Sequence, residues 1–204
     1  GINLTVMHAK DRTLPPVLAG QVNELKGWNP SVTATPGVVV ANVHVLAQRI
    51  ETLATHEFDL LILDEAYQLD SSNFLSVSPL APRILMVGDP GQLAPVQQID
   101  TANLEAAEHK MHRPAPAYVL DRFPDTPVFS LPATRRLTVD TASYVQPAFY
   151  PDLPFQSVVD DQNRKLDFAA AGIASPIDSA LDAVASGASI IALTLPGDAP
   201  PHEE

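Results

Sequence analysis

Two short aliphatic runs, each followed closely by acidic residues, constrain the fold of this sequence most strongly. Residues 60–63 read Leu-Leu-Ile-Leu and lead directly into Asp64 and Glu65. Residues 84–87 read Ile-Leu-Met-Val and lead, after one glycine, into Asp89. An aliphatic run without polar alternation is typical of a strand buried on both faces, as in parallel sheets. Because the carboxyl ends of parallel strands meet at one edge, we expect the three carboxylates to share that edge.

Further apolar segments extend an alternation of strands and helices, which is the pattern of βα units around a mainly parallel sheet. Besides residues 58–63 and 83–87, we expect strands at residues 4–7, 37–43, 128–131 and 189–195. We expect helices at residues 17–26, 45–55, 139–149 and from Ser175 onward, where a proline follows the capping serine. The prolines between residues 114 and 127 predict a break in regular structure. The predicted class is therefore α/β.

Composition excludes several classes of protein. The 204 residues include no cysteine, which rules out disulfides, thiolate zinc sites and cysteine nucleophiles. No run approaches the roughly 18 apolar residues of a membrane span, so we expect no membrane partner and a cytoplasmic location. Acidic residues number 24 against 12 basic ones, for a net charge of −12. Phosphate binding depends on Lys and Arg, so this piece alone is expected to bind nucleic acid weakly or not at all.

The residues after the two strands have side chains suited to phosphate chemistry. One carboxylate of the Asp64–Glu65 pair can hold Mg²⁺ through its water shell, while the other polarises a water molecule. Gln92, three residues after Asp89, can donate a hydrogen bond to a phosphate without adding charge. A different phosphohydrolase, with Asp64 and Asp89 as metal ligands, remains an alternative. His109 and His112 have helical ligand spacing, but zinc needs three or four ligands and no third is evident.

Several segments, in order, resemble superfamily 1 helicases, whose ATPase domains have the RecA-like fold. LLILDEA at residues 60–66 resembles motif II, the Walker B sequence, and GDPGQLAPV at residues 88–96 resembles motif III. LPATRRL at residues 131–137 is similar to the family's Leu-x-x-x-Tyr-Arg segment, with Arg135 at the tyrosine position. VVVANVHVL at residues 38–46 is similar to the strand and turn that precede motif II, and AFYPDL at residues 148–153 resembles the block that commonly follows the arginine segment. A weaker match is SIIALTLPG at residues 189–197, which resembles an early strand of the second RecA-like domain. The resemblance implies a RecA-like parallel sheet flanked by helices.

The resemblance also implies roles for individual residues. Asp64 would bind Mg²⁺ with the nucleotide, Glu65 would be the catalytic base, and Gln92 would sense the γ-phosphate. Arg136 would stabilise transition-state charge, a role worth roughly 10³–10⁵ in rate where such arginines have been measured. Asp89 would also line the nucleotide site. Arg135 would line it too, and which arginine of the pair acts as the finger stays open.

One element of such an ATPase is missing from the sequence. A phosphate-binding loop requires Gly-Lys-Ser/Thr, because glycine amides and a lysine hold the phosphates. None of the four lysines, at positions 10, 26, 110 and 165, follows a glycine or precedes Ser or Thr. We therefore expect a fragment, with residues 1–157 forming a RecA-like domain without its loop and residues 158–204 beginning a second α/β domain.

The implied function is that of a partial motor core. In the full-length protein, Mg²⁺-dependent ATP hydrolysis would drive translocation along nucleic acid, with DNA favoured over RNA, whereas the fragment alone would be inactive. The alternative is a degenerate RecA-like module that binds a partner and hydrolyses nothing.

Overall fold

The computed structural model describes residues 2–9, 12–26, 36–53, 58–96, 102–159 and 176–192. Over these residues the protein is a mixed α/β structure with small parallel sheets and flanking helices. The chain divides into two compact units, Gly1–Thr126 and Pro127–Glu204. Each unit is described below by itself. The domain division expected after residue 157 stays a prediction, because compactness alone does not define where a family's domains begin and end.

The first unit contains two parallel sheets. Strands β1 (Asn3–Met7), β2 (Asn23–Leu25) and β3 (Gly37–Ala41) form one sheet in the order β2-β1-β3. Strands β4 (Leu61–Leu63) and β5 (Ile84–Met86) form the other, with Leu61 opposite Ile84 and Leu63 opposite Met86. β4 and β5 correspond to the two aliphatic runs, and their parallel pairing brings both carboxyl ends to one edge.

Five short helices belong to the same unit: α1 (Val43–Ala47), α2 (Ile50–Leu53), α3 (Ser71–Val77), α4 (Ala102–Glu105) and α5 (Ala115–Arg122). Single 3₁₀ turns occur at Pro16–Leu18, Ala66–Gln68 and Ser78–Leu80. α3 begins after Asp70, whose carboxylate accepts the backbone N–H of Asn73 at 2.8 Å. None of the helices in the described part of the chain is long and apolar enough to cross a bilayer.

The core of the first unit lies on one side of its strands. Its buried side chains include Met7, Leu53, Leu63, Phe74, Val77 and Leu80. The opposite face of β4 and β5 is open, since Ile62 is 58 % exposed and Leu85, which lies opposite it, is 48 % exposed. The expectation that these strands are buried on both faces is therefore wrong for this chain, although their parallel pairing is as expected.

The second unit is held together by short strands and by a polar cluster. β6 (Ala133–Thr134) pairs in parallel with β7 (Gln156–Ser157), and the helices are α6 (Val139–Phe149) and α7 (Pro176–Ala185). In α6, the carboxylate of Asp140 accepts the Thr138 hydroxyl and the backbone N–H of Ser189, both at 2.7 Å. These hydrogen bonds hold the pKa of Asp140 well below its usual range. They also join the first turn of α6 to the segment after α7.

Secondary structure departs from the sequence-based prediction in identifiable places. Residues 17–26 contain a 3₁₀ turn and β2 rather than a helix, and residues 128–131 belong to no strand or helix. The helix expected at residues 45–55 is interrupted between α1 and α2, and residues 54 and 55 lie outside the described residues. The prediction missed α3, and it missed α5 because Pro116 was read as a helix breaker. Pro116 lies in the first turn of α5, where its missing N–H costs no hydrogen bond. Residues 189–192 are not a strand, whereas Ser175 and residues 193–195 lie outside the described residues.

Candidate functional site

The candidate site is formed where β4 and β5 end. Two backbone hydrogen bonds of 2.8 Å continue the pairing beyond the strands, from Val87 N to Leu63 O and from Ala66 N to Val87 O. Asp64 and Glu65 follow β4 directly, and the Gly88–Asp89 segment follows β5. The edge predicted from the two aliphatic runs is therefore present, with both acidic segments fixed to it by main-chain contacts.

Glu65 has a backbone conformation that is uncommon for a residue with a side chain. Its φ of 53° and ψ of 39° are left-handed, and among the described residues it is the single non-glycine residue with positive φ. Its backbone N–H donates to Oδ1 of Asp64 at 3.0 Å. With this conformation the chain leaves β4 and enters the Ala66–Gln68 turn. Left-handed backbone at a non-glycine residue is strained, and such strain concentrates at functional sites.

The segment after β5 is a tight turn organised by Asp89. One carboxylate oxygen of Asp89 accepts the backbone N–H of Gly91 at 2.9 Å, and the other accepts Nε2 of Gln92 at 3.3 Å. The backbone N–H of Gln92 also donates to the carbonyl oxygen of Asp89 at 3.3 Å. Asp89 therefore stabilises the turn and orients the side chain of Gln92.

Gln68 connects the two segments, and sequence reasoning did not single it out. Its Nε2 lies 3.1 Å from Oε1 of Gln92 and 3.4 Å from Oε2 of Glu65. The sequence carried a usable signal, because Gln68 lies three residues after Glu65 and therefore on the same side of a helical turn. Only the pairing of β4 with β5 brings Gln92 within its reach.

Gly88 allows the two segments to approach this closely. A Cβ atom at position 88 would lie 3.0 Å from the backbone nitrogen of Ala66 and 3.1 Å from that of Tyr67. Backbone atoms cannot move aside as a flexible side chain can, so any larger residue would push the turn away from β5. The glycine of the Gly-Asp pair is thus explained by close packing.

The donor set is compatible with Mg²⁺ bound together with a phosphate ligand. Asp64 and Glu65 are exposed and Asp89 is half-buried, so the carboxylates face water. No group of three or more metal-ligating side chains occurs within the described ranges. Mg²⁺ is commonly held by one or two carboxylates, substrate phosphates and several waters, so Asp64 alone is a sufficient protein ligand of this type. Gln68 and residues 91–96 line an open depression next to the side-chain amides of Gln68 and Gln92.

His112 takes part in an ion cluster rather than in a metal site. Its Nε2 lies 2.6 Å from Oε1 of Glu105, and the Arg113 guanidinium lies 2.8 Å from Oε2 of the same residue. The hydrogen bonds from Arg113 and then His112 lower the pKa of Glu105 to about 2. This cluster connects α4 to the segment that precedes α5.

Arg135 and Arg136 belong to the second unit. Both are exposed and lie between β6 and α6. The hydroxyl oxygen of Thr134 accepts the backbone N–H groups of Arg136 and Leu137, each at 3.3 Å. The backbone that carries Arg136 is therefore held by the end of β6. The geometry of the candidate site consequently rests on residues of the first unit.

No protein-family model matches this sequence, and no curated protein matches it either.

Proposed function

We propose that this chain is part of the motor core of a superfamily 1 helicase-like ATPase with a RecA-like fold. The observation that carries the proposal is the row of four hydrogen-bonded side chains at the ends of two parallel aliphatic strands: Glu65, Gln68, Gln92 and Asp89. Phosphoryl transfer needs positioned carboxylates, a metal ligand and neutral hydrogen-bond donors more than it needs covalent chemistry. The ordered sequence motifs support the same function.

In this proposal, each side chain at the edge has one task. Asp64 would hold Mg²⁺, and the ion would supply positive charge to neutralise the phosphates of a bound nucleotide. Glu65 accepts a proton from the attacking water, and Gln92 donates to the terminal phosphate. The resemblance assigns the stabilisation of transition-state charge to Arg136, with Arg135 as the alternative arginine of the pair. Asp89 keeps the Gln92 segment in place.

The remaining parts of the motor are proposed to lie in the same polypeptide outside these 204 residues. The phosphate-binding loop is one of them, because no Gly-Lys-Ser/Thr occurs in this chain. The nucleic-acid-binding surface is another, because the net charge of −12 disfavours phosphate binding by this piece. The proposed motor moves along DNA in preference to RNA, and the protein is proposed to be located in the cytoplasm.

The test uses a longer polypeptide from the same gene that contains a Gly-Lys-Ser/Thr loop. We expect nucleic-acid-stimulated ATP hydrolysis that falls by about 100-fold or more in Glu65→Gln, the usual scale for loss of a general base. Glu51→Gln, an exposed glutamate in α2, is the matched control and should leave turnover unchanged. The 204-residue chain alone should show no appreciable Mg²⁺-dependent hydrolysis. Equal turnover in Glu65→Gln and wild type contradicts the role of Glu65.

A second candidate is a non-hydrolysing RecA-like module that binds a protein partner. The aliphatic face of β4 and β5, open at Ile62 and Leu85, favours it because large exposed apolar surfaces mark interaction sites. A gene without the Gly-Lys-Ser/Thr loop, together with no calorimetric signal for Mg²⁺-ATP, would favour this candidate over the motor.

A further inference from the structure

We propose that Gln68 is a positioning residue that holds the Glu65 carboxylate and the Gln92 amide in one fixed arrangement. The inference rests on the proposed function and adds to it a residue that couples the end of β4 to the end of β5. The aliphatic runs alone do not predict this link, because Gln68 and Gln92 lie more than 20 residues apart in the sequence.

The hydrogen bonds use both amide hydrogens of Gln68. A glutamine side chain has two N–H donors on one nitrogen, and here one points to Oε2 of Glu65 and the other to Oε1 of Gln92. Gln92 in turn donates from its Nε2 to Asp89. That donation turns the Oε1 atom of Gln92 toward Gln68. The four side chains therefore form a single row of hydrogen bonds in which each bond orients the next.

The backbone under Gln68 is held on both sides. Its own N–H donates to the carbonyl oxygen of Glu65 at 2.9 Å. The first residue of its turn, Ala66, donates to Val87 beyond β5, and Gly88 packs directly against that turn. The Cα of Gln68 is therefore fixed relative to both strands. Only the side-chain torsions of Gln68 remain to be restricted, so little conformational entropy is lost when it forms both hydrogen bonds.

This link has a consequence for the proposed chemistry. Glu65 is exposed and long enough to adopt several rotamers, and Gln92 lies on an exposed turn. Without Gln68, the two groups would sample those rotamers independently. A misplacement of about 1 Å in a reacting group can lower a rate by roughly 10²-fold, so loss of the link should lower kcat more than it raises KM.

The first test needs no catalytic activity and uses the 204-residue chain. Side-chain amide signals of Gln92 are followed by ¹H–¹⁵N NMR in wild type, Glu65→Ala, Gln68→Ala and the double variant. We expect Glu65→Ala to shift the Gln92 signals when Gln68 is present and to leave them unchanged in the Gln68→Ala background. Gln48→Ala, a change at another exposed glutamine of the first unit, should not alter either result. Equal shifts with and without Gln68 overturn the proposed link.

The second test is kinetic and uses the ATP-hydrolysing longer polypeptide. Gln68→Ala should lower kcat by about 10- to 100-fold, with KM changed by no more than about twofold. Gln68→Glu keeps the shape but has no N–H donors, so it should behave like Gln68→Ala.

Two outcomes separate this inference from the proposed function. If Glu65→Gln abolishes turnover while Gln68→Ala leaves kcat unchanged, the positioning role of Gln68 is overturned and the ATPase proposal stands. If turnover survives Glu65→Gln as well, the ATPase proposal and the catalytic part of this inference both fail. In that case the NMR comparison still decides whether Gln68 couples the two side chains.

Discussion

At the scale of single residues, Glu65 differs from the other described residues in its backbone conformation. A left-handed φ brings Cβ close to the following carbonyl oxygen and costs roughly 1–2 kcal/mol in a residue other than glycine. The fold retains Glu65 there although glycine would relieve the strain. Strain of this kind is concentrated at functional sites, so it supports the role proposed for the Glu65 carboxylate.

The strain predicts an unusual order of stabilities. Glu65→Gly should be more stable to urea than Glu65→Ala by about 0.5–1 kcal/mol, because relief of the strain exceeds the extra chain entropy of unfolded glycine. The matched pair at Glu51, inside α2, should show the opposite order, with alanine about 1 kcal/mol more stable than glycine. If alanine is the more stable residue at both positions, Glu65 is not strained in the native protein.

At the scale of secondary structure, α3 depends on its first turn. Asp70 precedes the helix, and its carboxylate accepts the backbone N–H and the side-chain amide of Asn73 together with the Ser72 hydroxyl. Partial burial opposes ionisation of Asp70, but the Ser72 and Asn73 hydrogen bonds outweigh it, so its pKa lies below the usual 3.8. The short helix carries Phe74 and Val77 into the core, which connects this cap to the stability of the whole unit.

Removal of the cap should destabilise the first unit in a pH-dependent way. We expect Asp70→Ala to lower the free energy of unfolding by about 1 kcal/mol near pH 7. Because the folded pKa is depressed, the charged cap stabilises fully above pH 3.8 and is lost as the pH falls through the folded pKa. The difference between wild type and Asp70→Ala should therefore shrink in acid, as measured by urea unfolding at several pH values.

Asp70→Asn is the matched control, since asparagine caps helices comparably without a charge. It should retain most of the stability near pH 7, and its difference from Asp70→Ala should not change in acid. An Asp70→Ala variant as stable as wild type near pH 7 would show that the cap contributes nothing to this helix.

At the scale of the whole molecule, the first residues of the second unit form an unprotected segment. Residues 128–131 make no backbone hydrogen bond within the described part of the chain. Phe129 is 90 % exposed and Leu131 is 84 % exposed. Proteases bind their substrates as extended chains, so exposed segments without backbone hydrogen bonds are cut first.

Among the bonds of the described residues, limited chymotrypsin digestion should therefore cut first after Phe129. The bonds after Phe123 and Leu131 precede prolines and should resist cleavage. Mass spectrometry should find products that end or begin at this bond before products of cleavage within the described residues of the first unit. Phe129→Ala should slow this cut by at least about tenfold, because it removes the aromatic side chain that chymotrypsin recognises. In a segment that is already open, the cleavage rate depends on this local recognition and not on unfolding. Initial cleavage inside α6 would contradict this picture of the second unit.

The sequence predicted the features that depend on local pattern. The aliphatic runs became β4 and β5, residues 139–149 became α6, and Asp64 and Glu65 lie at a parallel-sheet edge near Asp89 and Gln92. Aliphatic composition and turn residues act over a few positions, so they can be read without knowing what packs nearby.

The tertiary structure decided what depends on distant partners. Residues 23–25 are a strand because β1 lies beside them, although their own propensities did not exclude a helix. Gln68 meets Gln92 only because β4 pairs with β5, and Glu65 is left-handed at the point where β4 ends and the Ala66–Gln68 turn begins. Which face of the aliphatic strands is covered also depended on packing, since the sequence of β4 is equally apolar on both sides. Pairing and packing join residues far apart in the chain, and no local pattern records those partners.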